Sequence, residues 1–126
     1  MNSGQTPLHK VRGLGASHSG TGHFWRERVS AVALAPLSLW FAYVMLGLAG
    51  TSEVTALQFL AHPWNALLMG AFVAISLYHM RLGLQVVIDD YIHAAGMKIF
   101  LVLMVLLAVL VTGGLSLFAI IRIAAL

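Results

Sequence analysis

Three long apolar segments constrain the fold of this chain more than any other feature of its sequence. They cover residues 29–50, 63–88 and 99–121. A helix needs about 20 apolar residues to cross a bilayer, and each segment is long enough. Only His79 and Arg81 interrupt the second segment, and Pro63 suits its first turn, where the missing N–H would lack a partner anyway. The sequence therefore predicts an all-α membrane protein with three transmembrane helices.

The composition agrees with a lipid environment and excludes several functions. Of the 126 residues, 60% are hydrophobic and 9% are charged, whereas a soluble domain carries about 25% charged residues. There is no cysteine, which rules out thiolate metal sites, iron–sulfur ligation and disulfides within the chain. The formal net charge is +3 and the basic residues form no continuous run, so nucleic-acid binding is a poor interpretation.

Residues 1–28 differ from the rest because they are polar and rich in Gly, Ser and His. They lack the apolar core of a signal peptide. We predict a flexible tail that ends in a short interfacial segment, "HFWRER", with Phe24 and Trp25 among the lipid headgroups and two arginines beside them. Residues 29–122 would form a three-helix membrane anchor.

The positions of Lys and Arg predict the orientation, because cytoplasmic loops carry an excess of these residues. Four precede the first span, one lies between the second and third spans, and none lies at residues 51–62. These residues are Lys10, Arg12, Arg26, Arg28 and Lys98. We expect the N-terminus and the loop at 89–98 to face the cytoplasm, or the equivalent side of an organelle, and the C-terminus to face outward.

His79 lies deep in the predicted second span. At about 1.5 Å per residue it is roughly 24 Å from Pro63 and roughly 14 Å from Ile88. An ionisable residue at this depth is a candidate ligand or proton-relay group, and the alternative is a histidine that is hydrogen-bonded to a neighbouring helix. Zinc would need several further ligands at this depth, whereas a haem iron needs one or two axial ligands, for which neutral imidazole serves well.

His79 is the only histidine within a predicted span, since the other five lie in the tail or near the membrane surface. A haem with two histidine ligands would therefore take its second ligand from another chain. Gly83 shares the face of His79, where a glycine lets either a flat macrocycle or another helix approach closely. Arg81 points about 200° away around the helix and suits lipid anchoring or a salt bridge to a partner.

Polar residues at the cytoplasmic end of the second span indicate a candidate quinone site. Asp90 is eleven residues after His79, a net rotation of about 20° and an axial separation of about 16 Å if the helix continues. The phenol of Tyr91 beside this carboxylate suits a quinone, which has two carbonyl oxygens to hold and two protons to receive. Tyr91 is alternatively an ordinary interfacial tyrosine. Arg28 would meet a haem propionate or the Asp90 carboxylate, or would serve as a positive-inside anchor.

One pattern at the end of the second span is specific enough to indicate a family. It is H-x3-G-x-Q-V-x3-D-Y, formed by His79, Gly83, Gln85, Val86, Asp90 and Tyr91. Together with "GHFWRERVSAVAL" at the start of the first span, it resembles the hydrophobic membrane-anchor subunit of succinate dehydrogenase, the D-type anchor of complex II. The resemblance covers about residues 20–122, and the spacing from the histidine to the Asp–Tyr pair is its specific part.

The resemblance implies a role within a larger assembly. A C-type and a D-type anchor would form a six-helix bundle under a flavoprotein and an iron–sulfur subunit, in the bacterial cytoplasmic membrane or the mitochondrial inner membrane. The two anchors would share haem b, with His79 as one axial ligand and Arg28 near the propionates. Tyr91 would hydrogen-bond ubiquinone, with Asp90 beside it. The chain itself would be a non-catalytic anchor, and His23, one position away from a family histidine, is assigned no role.

Two other interpretations stay open at this point. A fumarate reductase anchor that uses menaquinone would differ in quinone type and midpoint potential, which the sequence barely distinguishes. A small non-redox scaffold would keep His79 as a structural residue in a helix interface, and such a protein would have no Soret band. A transporter fits less well, because only one span carries intramembrane charge and there is no paired broken-helix pattern.

Overall fold

Helices make up nearly all of the chain that the computed structural model describes, which is residues 6–8 and 20–125. Within residues 20–125 the helices are α1 (Gly20–Leu48), α2 (Glu53–Ala61), α3 (Pro63–Tyr91) and α4 (Ala95–Ala124). No strand occurs among the described residues, so the predicted all-α fold is confirmed for them. Most of the predicted polar tail, at 1–5 and 9–19, lies outside the described residues.

Three of the helices, α1, α3 and α4, are long and apolar enough to cross a membrane, as the sequence predicts. They contain 29, 29 and 30 residues. At 1.5 Å per residue each is about 44 Å long, whereas the hydrocarbon core of a bilayer is about 30 Å thick. The ends of all three helices therefore extend into the headgroup regions or beyond.

Helix α1 begins nine residues before the predicted first span, so the predicted interfacial segment "HFWRER" belongs to the same helix. Contacts between residues four apart support this first part of α1. Arg26 Nε donates a hydrogen bond to the carbonyl oxygen of Gly22 over 3.1 Å, and the Arg28 guanidinium lies over the Phe24 ring. Residues 20–28 thus lead into the first span as continuous helix.

A short helix, α2, occupies the predicted loop at 51–62, where the sequence analysis expected none. The Ser52 hydroxyl begins it by accepting a hydrogen bond from the Thr55 N–H over 3.2 Å, which is the usual N-cap arrangement. Gly50 precedes this cap with a φ of +81°, a conformation that favours glycine and lets the chain turn out of α1. Pro63 lies in the first turn of α3, as predicted.

Helix α3 is the central helix, because it packs against both α1 and α4, and α2 covers one end of the α3–α4 pair. Phe41 of α1 stacks on Phe72 of α3, with 4.5 Å between the ring centroids. Close approach of α3 and α4 occurs at Gly113, where an added Cβ would lie 3.2 Å from Leu77 Cδ1. The buried residues are Ser30, Val44, Ala66, Leu82 and Ile88.

We expect Gly113→Ala to weaken the packing of α3 against α4, and Gly114→Ala to leave it unchanged. A methyl group at Gly113 requires Leu77 Cδ1 to shift by a few tenths of an ångström, and overpacking of this kind costs about 1 kcal/mol. At Gly114 the same group would meet nothing within 4 Å. Both variants gain the same helix propensity, so the difference between their melting temperatures measures the contact. Equal melting temperatures would mean that Leu77 moves aside freely.

Candidate functional site

Ser30 and His79 meet in the interface between α1 and α3. The Ser30 hydroxyl oxygen lies 2.9 Å from His79 Nδ1. Ser30 is 5% exposed and is the one buried polar residue among those described, while His79 is half-buried. A hydrogen bond of this kind contributes about 0.5–1.5 kcal/mol, so the pair stabilises the contact between the two helices.

A second hydrogen bond of Ser30 determines the tautomer of His79. Ser30 Oγ donates to the carbonyl oxygen of Glu27, one turn earlier in α1, over 2.9 Å. A carbonyl oxygen cannot donate, and a hydroxyl has only one proton. Both hydrogen bonds form together only when Ser30 Oγ accepts from His79 and the ring proton is on Nδ1. The Nε2 lone pair is left free, since no group in the described part of the chain hydrogen-bonds to it.

The face of α3 that carries His79 has open space beside it. Helix α3 is unbroken from Pro63 to Tyr91, so Gly83, four residues after His79, lies on the same face. A Cβ placed at Gly83 would meet nothing within 4 Å. Close packing against another described helix of this chain is therefore not what requires a glycine here.

An apolar groove of about 390 Å³ lies beside the Ser30–His79 pair, between α1 and α3. It is lined by Trp25, Arg26, Val29, Ser30, Ala33, Ile75 and Tyr78. Arg26 is the one charged residue of this lining. Such a groove suits an apolar ligand or the apolar side chains of a neighbouring subunit.

Arg28 does not come near His79 within the chain. It is two residues from Ser30, which turns it about 200° around α1 and onto the opposite face. Its guanidinium carbon lies 5.1 Å from the centroid of the Phe24 ring. No ion pair joins it to Asp90 among residues 20–125. A contact of Arg28 with a propionate outside the chain stays a prediction.

The two aspartates at the end of α3 have different surroundings. Asp89 Oδ1 forms an ion pair with Lys98 Nζ at 2.7 Å, and Gln85 Nε2 donates to Asp89 Oδ2 over 3.2 Å. The ion pair ties the end of α3 to the start of α4. No hydrogen bond or ion pair engages the Asp90 carboxylate within the described ranges. Asp90 is therefore the carboxylate that is available to a ligand.

Tyr91 is the last residue of α3 and is 76% exposed. Because α3 continues to this residue, Asp90 lies on nearly the same face as His79, about 16 Å further along the axis. Tyr91 points about 100° further around the helix. Four of the predicted site residues thus lie on one helix face or at its end, and a ligand at the end of α3 could contact both Asp90 and Tyr91.

Two residues near this face were not assigned a role from the sequence. Ser30 is one of them, and the available signal was a hydroxyl inside an otherwise apolar span. His23 is the other, a half-buried residue at the start of α1 whose Nε2 is enclosed without a hydrogen-bond partner in the described structure.

These features define a class of protein, a three-span helical membrane protein with a half-buried histidine between two spans and, at one helix end, a carboxylate and a phenol that no described residue engages. Residues 2–113 match the family of the succinate dehydrogenase/fumarate reductase transmembrane subunit. The chain belongs to this family, which confirms the resemblance found from the sequence.

Individual relatives carry the same description. The succinate dehydrogenase hydrophobic membrane anchor subunit of Paracoccus denitrificans is 37% identical over 93 residues, which cover 74% of this chain and 72% of that protein. Its counterpart from Rickettsia conorii is 35% identical over 104 residues, 82% of each chain. The succinate dehydrogenase membrane anchor subunit of Reclinomonas americana is 32% identical over 95 residues, 73% of this chain and 76% of that one. No solved structure matches the chain significantly.

Proposed function

We propose that this chain is the D-type membrane anchor of a succinate:ubiquinone oxidoreductase. It would hold a flavoprotein and an iron–sulfur subunit at the bacterial cytoplasmic membrane, or at the mitochondrial inner membrane, with its N-terminus on their side. A C-type anchor would complete a six-helix bundle with it. The observation that carries the proposal is the free Nε2 of His79, a half-buried residue of the α1–α3 interface, in a chain that belongs to this family.

The residues around His79 fit haem b. An axial imidazole coordinates iron through an unprotonated nitrogen, and the Ser30 hydrogen bond leaves Nε2 in that state. The open space at Gly83 leaves room for a planar group along the same face. This chain would supply one axial ligand, and the partner anchor would supply the other. When bound, haem supplies a one-electron carrier within the membrane.

Asp90 and Tyr91 fit a quinone at the end of α3. The Tyr91 O–H would donate a hydrogen bond to a quinone carbonyl oxygen, which holds the ring and favours its reduction. The Asp90 carboxylate, which no group in the described structure engages, would pass protons from water to the reduced ring. Electrons would come from succinate through the flavin and clusters of the partner subunits. The chain itself has no cysteine with which to bind a cluster.

Purification of the complex through an affinity tag on this chain tests the proposal. We expect a flavoprotein, an iron–sulfur protein and a second membrane anchor to co-purify, with a b-type signal in the reduced-minus-oxidised spectrum and succinate-dependent reduction of ubiquinone. A complex that oxidises menaquinol with fumarate would instead indicate a fumarate reductase anchor. Purification without haem or either activity would indicate a non-redox scaffold.

A further inference from the structure

We propose that Ser30 is a positioning residue, which fixes the tautomer and ring orientation of His79 and lowers the redox potential of the group that His79 binds. This inference rests on the proposed ligation of haem iron by His79. It adds a second residue of α1, besides Arg28, to a site whose other predicted residues lie on α3.

Ser30 is held in place by its own hydrogen bonds. Its hydroxyl donates to the Glu27 carbonyl and accepts from His79 Nδ1, both over 2.9 Å. The Glu27 carbonyl belongs to the backbone of α1 and cannot move independently of the helix. At 5% exposure Ser30 has no access to alternative partners in water. The His79 ring is therefore oriented by the backbone of the neighbouring helix, through one side chain.

The direction of the electrostatic effect follows from this chain of hydrogen bonds. A ring N–H that donates to an acceptor makes the other ring nitrogen more basic. The Ser30 oxygen accepts a stronger hydrogen bond than the oxygen of a hydroxyl that donates to nothing, because its own proton is drawn toward the Glu27 carbonyl. A more basic axial nitrogen stabilises the oxidised metal, which lowers the midpoint potential. Removal of the Ser30 hydroxyl should therefore shift the potential to more positive values.

The alternative role for Ser30 is simple adhesion between α1 and α3. That role predicts a loss of stability without a change in potential. Ser76 provides a matched control, because it lies on α3 three residues before His79, is half-buried, and makes no hydrogen bond among the described residues. Ser30→Thr and Ser30→Val form a second matched pair, since the two side chains have the same shape and differ in the hydroxyl.

The test compares the variants in the whole purified complex, by potentiometric titration of the b-type signal and by haem content. We expect Ser30→Ala and Ser30→Val to shift the midpoint potential to more positive values or to lose haem, while Ser30→Thr and Ser76→Ala match the wild type. A Ser30→Val potential equal to that of Ser30→Thr, with haem bound in both, would overturn the inference.

Failure of the proposed function would be visible separately, as a wild-type complex without haem. The tautomer is then decided by the ¹⁵N chemical shifts of His79 in the labelled complex. A wild-type Nδ1–H tautomer that becomes a mixture in Ser30→Val supports the positioning role. The same tautomer in both proteins overturns it.

Discussion

A His79→Leu variant of the purified complex is expected to lose its b-type absorption or to show an altered spectrum. Leucine cannot coordinate iron, and no other histidine of the chain lies within a predicted span to replace it. The fold should tolerate the change, because Ser30 keeps the Glu27 carbonyl as a hydrogen-bond partner and leucine is a good helix former. The reduced-minus-oxidised spectrum, recorded beside that of the wild type, measures the effect.

His93→Leu is the matched control for this experiment. His93 is exposed in the short connection between α3 and α4, so its replacement removes an imidazole without changing the interior. Its spectrum should equal that of the wild type. If the His79→Leu spectrum were also unchanged, His79 would have a structural role in the α1–α3 interface. The case for a redox site would then depend on Asp90 and Tyr91 alone.

Tyr91→Phe should lower the rate of quinone reduction by about tenfold to a hundredfold while haem and assembly stay intact. Loss of one hydrogen bond to a bound ligand costs about 1–3 kcal/mol, and each 1.4 kcal/mol is a factor of ten. Tyr91 is 76% exposed in this chain, so the fold does not depend on its hydroxyl. The measurement is kcat/KM for ubiquinone with succinate as the donor.

Two controls separate the quinone site from the rest of the complex. Succinate oxidation by a dye that accepts electrons before the quinone should be unchanged in Tyr91→Phe. Tyr43→Phe removes the same O–H from an equally exposed tyrosine, 77% exposed, on α1 near Leu48. It should leave quinone reduction unaffected. Loss of the haem spectrum in Tyr91→Phe, or normal quinone kinetics, would contradict the assignment of Tyr91.

The spans were predictable because hydrocarbon excludes charge, but the helix ends were not. Residues 20–28 are mostly polar, so they were predicted to lie outside the first span, although they belong to the same helix. A helix that leaves the hydrocarbon can keep its backbone hydrogen bonds among the headgroups, so hydropathy carries no signal for its end. The short helix α2 had a local signal in the Ser52 cap, which the apolar spans on either side outweighed.

The contact between Ser30 and His79 could not be predicted either, because it depends on where the helices end. With a first span that starts at residue 29, Ser30 lies at the membrane surface, at a different depth from His79. Helix α1 starts at Gly20, which places Ser30 about 15 Å from its start. His79 is about 18 Å from the end of α3 at Tyr91. Ser30 and His79 lie at similar depths, but this follows from the true helix ends, which hydropathy does not give. The sequence alone therefore could not predict that the two residues are in contact.

The acidic end of α3 shows what residue spacing can and cannot determine. Helical rotation indicated that Asp90, rather than Asp89, shares the face of His79, and the unbroken helix supports that geometry. Which carboxylate is engaged depends on Lys98, which lies across a turn on the next helix. Rotation along one helix carries no information about such a contact.

The connection between α3 and α4 has a consequence for insertion into the membrane. Three residues, at 92–94, join the two helices, so we expect them to enter the bilayer as one hairpin. Helix α3 contains His79 and Arg81, and an arginine at the centre of a span costs about 2.5–3.5 kcal/mol during insertion. Helix α4 has no charged residue between Lys98 and Arg122. We therefore expect the favourable insertion of α4 to offset the cost of α3, so that the histidine-bearing helix enters the membrane with its neighbour.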